Sequence, residues 1–442
     1  MAEKRGSGKF VRDSVGVFGA QVIITVLGVG TSVITARTLG PHDRGLFQLL
    51  TLLPVTLSNF AKLGIPQANI YFMRRKGASA SDVASNSLWF AIVLGGLLAA
   101  ICYVGRDWLL ANILKTAPAV TLPPVLALLP FVLLQAYLQG VVAAQERFRE
   151  YSLQQVAPTL LGLVGMSIAL LWFRAGLIGA VIVQTVVVAA VTIWLTIRVH
   201  RRAPIRFTLN RDLARGMLSF GGKSYLQTLA STLHFRIDQY MIGYLLDPTQ
   251  VGLYAVAVNL TNLLLKIPDA TGTVLYPRLA GLGDEDAHSA TSRVCRYTLF
   301  ITVAVGLGYV VFGSLVIRLL FGPKFSGSVR PMLLMLPGIV MISLYLILTR
   351  NFTSRNRQQV NLVAAVAALA INVGANWFLI PRFGISGAAV STAISYSVAA
   401  LILLVMFVRE SGHSVTETLF VGRDDVGTLW RMANRFRRPA LE

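Results

Sequence analysis

Lys266 and Asp269 interrupt a stretch that is otherwise apolar, and they belong to a series. Asn259, Asn262, Lys266, Asp269 and Thr273 follow one another at spacings of 3, 4, 3 and 4. An α-helix completes a turn in about 3.6 residues, so such a series lies along one side of a helix. A second series, Lys223, Gln227, Ser231, His234 and Asp238, is spaced 4, 4, 3 and 4 and occupies about 80° of a helix circumference. Gln21, Thr25, Gly28, Ser32 and Thr35 make a milder stripe, and Asn361, Asn372 and Asn376 share one side of a later stretch. A charge in hydrocarbon costs about 2.5 kcal/mol or more, so charged stripes must face water or each other. One reading is a water-filled passage. The other is packing, because Asn, Ser and Thr bond across membrane helices for about 0.6 kcal/mol apiece.

For the Asn, Ser and Thr positions both readings stand. Lys266 and Asp269, near mid-depth, favour a passage, whereas Lys223 lies about one turn from an end and has a stem long enough to reach water. Arg236 lies off its stripe, so it either lines the passage or pairs with a neighbouring helix. The embedded cations Lys62, Lys223, Arg236 and Lys266 face the acids Asp238 and Asp269, with His234 able to add charge. A net positive passage suits an anionic ligand such as a phosphate or diphosphate. Pro268, between Lys266 and Asp269, frees a backbone carbonyl and permits a bend, as a hinge or as a tolerated kink.

No pattern points to an enzyme. The five histidines, at 42, 200, 234, 288 and 413, are scattered, and no metal-ligand cluster, nucleophile elbow or catalytic pair of carboxylates is present. Gly222-Lys223-Ser224 resembles the end of a phosphate-binding loop, but Met217 stands where that motif needs glycine. No cofactor and no metal are expected.

The elements that hold these residues are membrane spans. Hydrophobic residues are 55% of the 442 and charged residues 13%, half the charge of an ordinary soluble chain at about 25%; mean hydropathy is +0.66. Apolar runs near the roughly 20 residues that cross hydrocarbon predict twelve spans: about 14–36, 46–66, 87–104, 122–142, 156–173, 177–197, 219–245, 251–275, 297–320, 329–348, 360–379 and 385–408. The longest break, 198–218, is a basic linker whose second part, Leu209 to Met217, has the composition of a short surface helix. The layout is a tail at 1–13, a lobe of six spans at 14–197, the linker, a second lobe at 219–408 and a tail at 409–442.

The lobes are copies of one another. Leu39-Gly40-Pro41-His42-Asp43-Arg44-Gly45-Leu46-Phe47 recurs as Leu246-Asp247-Pro248-Thr249-Gln250-Val251-Gly252-Leu253-Tyr254, an offset of 207. Arg174-Ala175-Gly176-Leu177-Ile178-Gly179-Ala180 recurs as Arg382-Phe383-Gly384-Ile385-Ser386-Gly387-Ala388, an offset of 208. Six spans is an even number, so both copies enter from the same side as parallel repeats, a construction typical of transporters with the site at their interface. The same offset sets Asn59 opposite Lys266 and Lys62 opposite Asp269.

Of the 40 Lys and Arg, those in the tails and the loops of one face outnumber those opposite by roughly threefold, which places that face and both termini in the cytoplasm. Because this charge is dispersed beside apolar spans, the net +21 reads as orientation and attraction to membrane lipids rather than as nucleic-acid binding. The first apolar run is longer than the 7–15 residues of a cleaved signal core, so it reads as a retained span. Cys102 and Cys295 fall near opposite faces and cannot pair. The sequon at Asn351 lies in a cytoplasmic loop. Short opposite loops, the longest at about 105–121, leave no room for an enzymatic domain outside.

Three stretches together resemble the oligosaccharide flippases of the polysaccharide transporter family, in the multidrug/oligosaccharidyl-lipid/polysaccharide exporter superfamily. They are Ala36 to Pro41 running on to Leu63-Gly64-Ile65; Arg236-Ile237-Asp238 to Gly243 with Val251 to Ala257 and Tyr276 to Leu279; and Asn372 to Asn376 through Ile380 to Ala389. The resemblance implies an all-α membrane protein of twelve transmembrane helices, two six-helix lobes around a cavity that opens alternately to each face. It implies movement of undecaprenyl-diphosphate-linked oligosaccharide, a repeat unit of O-antigen, capsule or exopolysaccharide, from the inner to the outer leaflet of the bacterial inner membrane. Coupling to H+ or Na+ and contact with other polysaccharide-assembly proteins come with it. On that view Lys266, Lys223 and Lys62 hold the diphosphate, with His234, Gln227, Asn259, Asn262, Asn59 and Arg236 around it, and Asp269 or Asp238 takes the ion. A cation-coupled multidrug antiporter of the same fold is the alternative; it predicts an acidic passage.

Overall fold

The computed structural model describes residues 2–279 and 281–420, with the side chains of 19–147, 150–222, 225, 229–273, 275–276, 279 and 281–420. Among the described residues, helix is the only regular structure. In hydrocarbon a backbone N–H or C=O has no water to bond, so a long apolar run must satisfy its own groups as a helix. The helices are α1 (Ala2–Ala61), α2 (Ile65–Arg75), α3 (Ala80–Val104), α4 (Arg106–Asn112), α5 (Leu122–Ala144), α6 (Phe148–Ser167), α7 (Gly176–His200), α8 (Arg211–His234), α9 (Ile237–Leu245), α10 (Pro248–Leu264), α11 (Lys266–Leu279), α12 (Asp284–Phe321), α13 (Val329–Ser354), α14 (Gln358–Ser411) and α15 (Val415–Leu419).

Nine stretches of the described residues are long and apolar enough to cross a membrane. Two of them are double. Gly40 breaks α1 and Gly384 breaks α14, and at 1.5 Å per residue each is more than twice the roughly 30 Å of a hydrocarbon core. The seventh crossing, α8 with α9, is too polar to count by hydropathy and completes the expected twelve. The second repeated motif places a positive-φ glycine at the same point of each copy, with φ of 58° at Gly176 and 59° at Gly384.

The chain forms two compact units. The first comprises 1–257, 316–328 and 376–388, and the second 258–315, 329–375 and 389–442. In the first, α5 is the hub and packs on α1, α2, α3 and α7. Its Tyr137 is fully buried and donates its hydroxyl to the carbonyl of Ala61 at 2.9 Å, where α1 ends. Asn69, also buried, donates to Ser87 Oγ at 3.0 Å and to the carbonyl of Tyr137 at 2.9 Å. In the second unit, Asn351 donates to Thr291 at 2.9 Å, Asn361 to Thr353 Oγ1 at 3.1 Å and Asn372 to Ser395 at 3.2 Å. Asn361, Asn372 and Asn376 are fully buried. For this stripe packing wins over a passage, and the sequon asparagine Asn351 is sealed among helices.

Two local expectations fail. The connection between the copies is residues 201–210, not 198–218, because α7 continues to His200 and α8 begins at Arg211. No separate surface helix forms over 209–217. Asn210 caps α8 by accepting from Leu213 N–H at 3.1 Å, and Met217 is drawn into the core of the first unit, so this segment becomes the opening turns of the seventh span. A 3.6-residue period in a polar segment cannot distinguish a surface helix from the wet end of a span.

Candidate functional site

The seventh span is broken where its stripe was expected to be continuous. Arg236, with φ −132°, separates α8 from α9. There the Phe235 N–H reaches Ser231 O at 3.3 Å, and the Arg236 N–H turns to Leu233 O, three residues back, at 3.0 Å. The Lys223-to-Asp238 series therefore does not form one stripe. His234 ends α8 and is buried, its ring edge-on to Phe235 at 5.5 Å. Ser231 is half-buried, and the side chains of Lys223 and Gln227 lie outside the described residues.

Asp238 opens α9 and is also buried. It accepts the Tyr254 hydroxyl at 2.6 Å and the Gln239 N–H at 2.8 Å. Gln239 in turn accepts from Gln48 Nε2 at 3.0 Å. Two donors thus converge on the Asp238 carboxyl, and a broken helix at membrane depth persists only where its freed groups find partners. Arg236 is half-buried and makes no ion pair among the described residues.

Tyr254, Gln48 and Gln239 were not foreseen. One signal was available: Phe47 and Tyr254 are the same position of the repeated motif, and the hydroxyl present only in the second copy is the one that meets Asp238.

The second span breaks as well. After Ala61 the chain leaves the helix through Lys62, Leu63 (φ 46°) and Gly64 (φ 68°) before α2 begins. Lys62 and Asn59 are half-buried and joined, Nζ to Oδ1, at 2.7 Å. In the second copy α10 ends at Leu264 and α11 starts at Lys266, so the corresponding span is interrupted about one turn away in the repeat. Pro268 falls in the first turn of α11, where a missing N–H is tolerated. Lys266 and Asp269 are exposed, Asn259 and Asn262 half-exposed, and Leu260, Leu264, Pro268 and Leu275 turn inward. Charges exposed within a span need water beside them.

The structure thus joins Asn59 to Lys62 and Asp238 to Tyr254 and Gln239, and sets Lys266 and Asp269 on one accessible side of α11. Two cavities, one in each unit, are lined by other residues. A narrow one in the first unit lies by Thr51, Gln184 and Thr185; one of about 390 Å³ in the second lies by Asp284, Arg355, Arg357 and Glu410.

At the opposite end of the first unit from its basic linker, the two copies of the first motif meet. A Cβ added to Gly45 would lie 1.7 Å from the Pro248 carbonyl oxygen, and one added to Gly252 would lie 2.0 Å from that of Pro41. The contact is reciprocal, glycine of each copy against proline of the other. Beside it, Lys115 Nζ donates to the carbonyls of Tyr244 at 2.6 Å and Leu246 at 3.1 Å, at the C-terminus of α9. Arg37 serves the end of α12 in the same way, with Nε on Leu320 O at 2.8 Å and Nη2 on Leu319 O. A cation on the last carbonyls complements the negative end of a helix. Lys115→Ala is expected to destabilise the protein by about 1–2 kcal/mol, read from unfolding in detergent, with Lys115→Arg recovering most of the loss.

Comparison with known proteins agrees with this architecture. The flippase MurJ for lipid II, in an inward closed conformation, superposes with a TM-score of 0.77 over 96% of this chain and 93% of that one, at 13% identity. An inward-facing multidrug resistance transporter of the MATE family, in the MOP superfamily, superposes with 0.74 over 90% and 98%, at 16% identity. Among curated proteins, Agl15 of Haloferax volcanii, named as a probable low-salt glycan biosynthesis flippase, is 23% identical over 189 residues, 42% of this chain and 40% of its own. The chain spans about two fifths of the length of the curated relatives it matches. The model of the family described as "Polysaccharide biosynthesis protein" matches residues 34–330, and this multi-pass membrane protein with the fold of MOP transporters belongs to that family.

Proposed function

We propose that the protein is a flippase that carries a lipid-linked oligosaccharide across the bacterial inner membrane by alternating access. Its termini lie in the cytoplasm, by the distribution of Lys and Arg, and its movement is coupled to an H+ or Na+ gradient. The carrying observation is the pair of charges on α11: Lys266 and Asp269 are exposed inside a span, which requires a wet passage in a chain of a polysaccharide biosynthesis family. In this reading the diphosphate is held by Lys266, with Lys62 and Lys223. Asn59, Asn259, Asn262, Gln227, His234 and Arg236 provide polar contacts for the sugar and diphosphate. Asp269, accessible, or Asp238, enclosed, takes the coupling ion.

A MATE-like fold gives the multidrug antiporter as the second reading, and ligand charge separates the two. A ligand that binds only the folded state raises its thermal midpoint. Undecaprenyl diphosphate is expected to raise the midpoint of the detergent-solubilised protein and cationic dyes to leave it unchanged. Stabilisation by the dye alone makes drug export the better reading.

A further inference from the structure

The connection at 201–210 is bound along the first turns of α3 rather than suspended in water. Ser81 Oγ donates to the Pro204 carbonyl. The Arg206 N–H donates to Ser85 Oγ at 2.9 Å. Asn86 and Asn210 bond reciprocally, side chain to backbone, at 3.0 and 2.9 Å. The backbone is thereby satisfied on its inner side. Arg206, Phe207, Thr208 and Leu209 are exposed, Phe207 at 66% despite lying 4.8 Å from Trp89.

Its depth is set by α3. Ile92 and Val93, exposed on the same helix, are three and four residues beyond Trp89, a rise of about 5–6 Å. Phe207 therefore lies about one turn from the first exposed aliphatic residues of the span, the level at which aromatic rings and headgroups meet.

Charge completes the surface. α2 packs against α8, with Tyr71 stacked on Phe220 at 4.2 Å, which brings Arg74, Arg75 and Lys76 to the edge that carries Arg211 and Arg215. Arg74 is paired with Glu146 at 2.5 Å. Arg75, Lys76, Arg206, Arg211 and Arg215 are exposed and make no ion pair among the described residues. Of the nearby acids, Asp82 and Asp212 occupy the first turns of α3 and α8, where helix dipoles already favour a negative charge.

We propose that the 201–210 strap, with Arg75, Lys76, Arg211 and Arg215, is a docking surface for anionic phospholipid headgroups of the adjoining leaflet, with Phe207 and Leu209 set into the boundary of the bilayer. Satisfied backbone, exposed cations without an ion pair among the described residues, and exposed apolar tips at headgroup depth are the chemistry that a phosphate-bearing lipid surface complements. This surface shares no residue with those assigned to the transported substrate.

The test is thermal unfolding of the full chain in detergent with added phosphatidylglycerol or with phosphatidylcholine of the same acyl chains. Phosphatidylglycerol is expected to give the larger rise in midpoint. The excess should fall at least threefold in R206Q/R211Q/R215Q and in about 0.5 M salt, where the Debye length is a few Å. The rise with phosphatidylcholine should persist in the variant, as a control of its fold. If the variant does not fold, the salt series on the wild-type chain decides. Equal rises for the two lipids, or an excess reduced less than threefold by salt or by the variant, overturn the proposal.

Discussion

Gly252→Val is expected to destabilise the protein by about 1–3 kcal/mol, toward the upper end of what overpacking costs. Even a Cβ at this position would be 2.0 Å from the carbonyl oxygen of Pro41 and 3.0 Å from the amide nitrogen of Gly45. These obstacles are backbone atoms, so no rotamer change relieves them, and the segments at 41–45 and 248–252 must move apart. Gly45→Val meets the reciprocal obstacle at Pro248 and should behave alike. Gly28→Val and Gly96→Val, with nothing within 4 Å of the added Cβ, are the matched controls. The measurement is the unfolding midpoint of all four variants in one detergent. Unfolding of Gly252→Val at the wild-type midpoint would mean that the populated state lacks this contact.

Lys266→Ala is expected to slow movement of lipid-linked oligosaccharide in proteoliposomes by about 30-fold or more while leaving the fold intact. Lys266 is exposed and makes no ion pair among the described residues, so its removal orphans none of their charges. Its loss would be felt by the diphosphate, since truncating one side of a desolvated charge pair costs about 2–5 kcal/mol. Lys266→Arg should retain most of the rate. Asp269→Asn separates the ion from the lipid: it is expected to weaken dependence on the gradient more than binding of the diphosphate lipid. Wild-type transport by Lys266→Ala would move the passage away from α11.

These variants rest on features that differ in how far the sequence reveals them. The repeated motif was legible as a repeat, because Leu, Pro, Gly, Leu and an aromatic recur at one offset. That its two copies touch, glycine against proline, was not, because a pattern carries no information about its own contact partner. The break in the seventh span was hidden for another reason. Neither Phe235 nor Arg236 is a proline or glycine, and beside the interruption Asp238 accepts from a residue of another helix, Tyr254. Lys115 reads as an ordinary loop lysine, although its ammonium holds the end of α9.

The sequence by itself determined the membrane setting, the number of crossings, the internal repeat and the inventory of charges placed among apolar residues. Hydrocarbon imposes these directly, through span length, self-satisfied backbone and the cost of a charge. The tertiary structure alone decided what the described polar residues face. Periodicity assigns side chains to one side of a helix, but only packing determines whether that side meets another helix or water. Asn361 and Asn372 meet Thr353 and Ser395, Asp238 meets Tyr254, and Lys266 and Asp269 are left accessible.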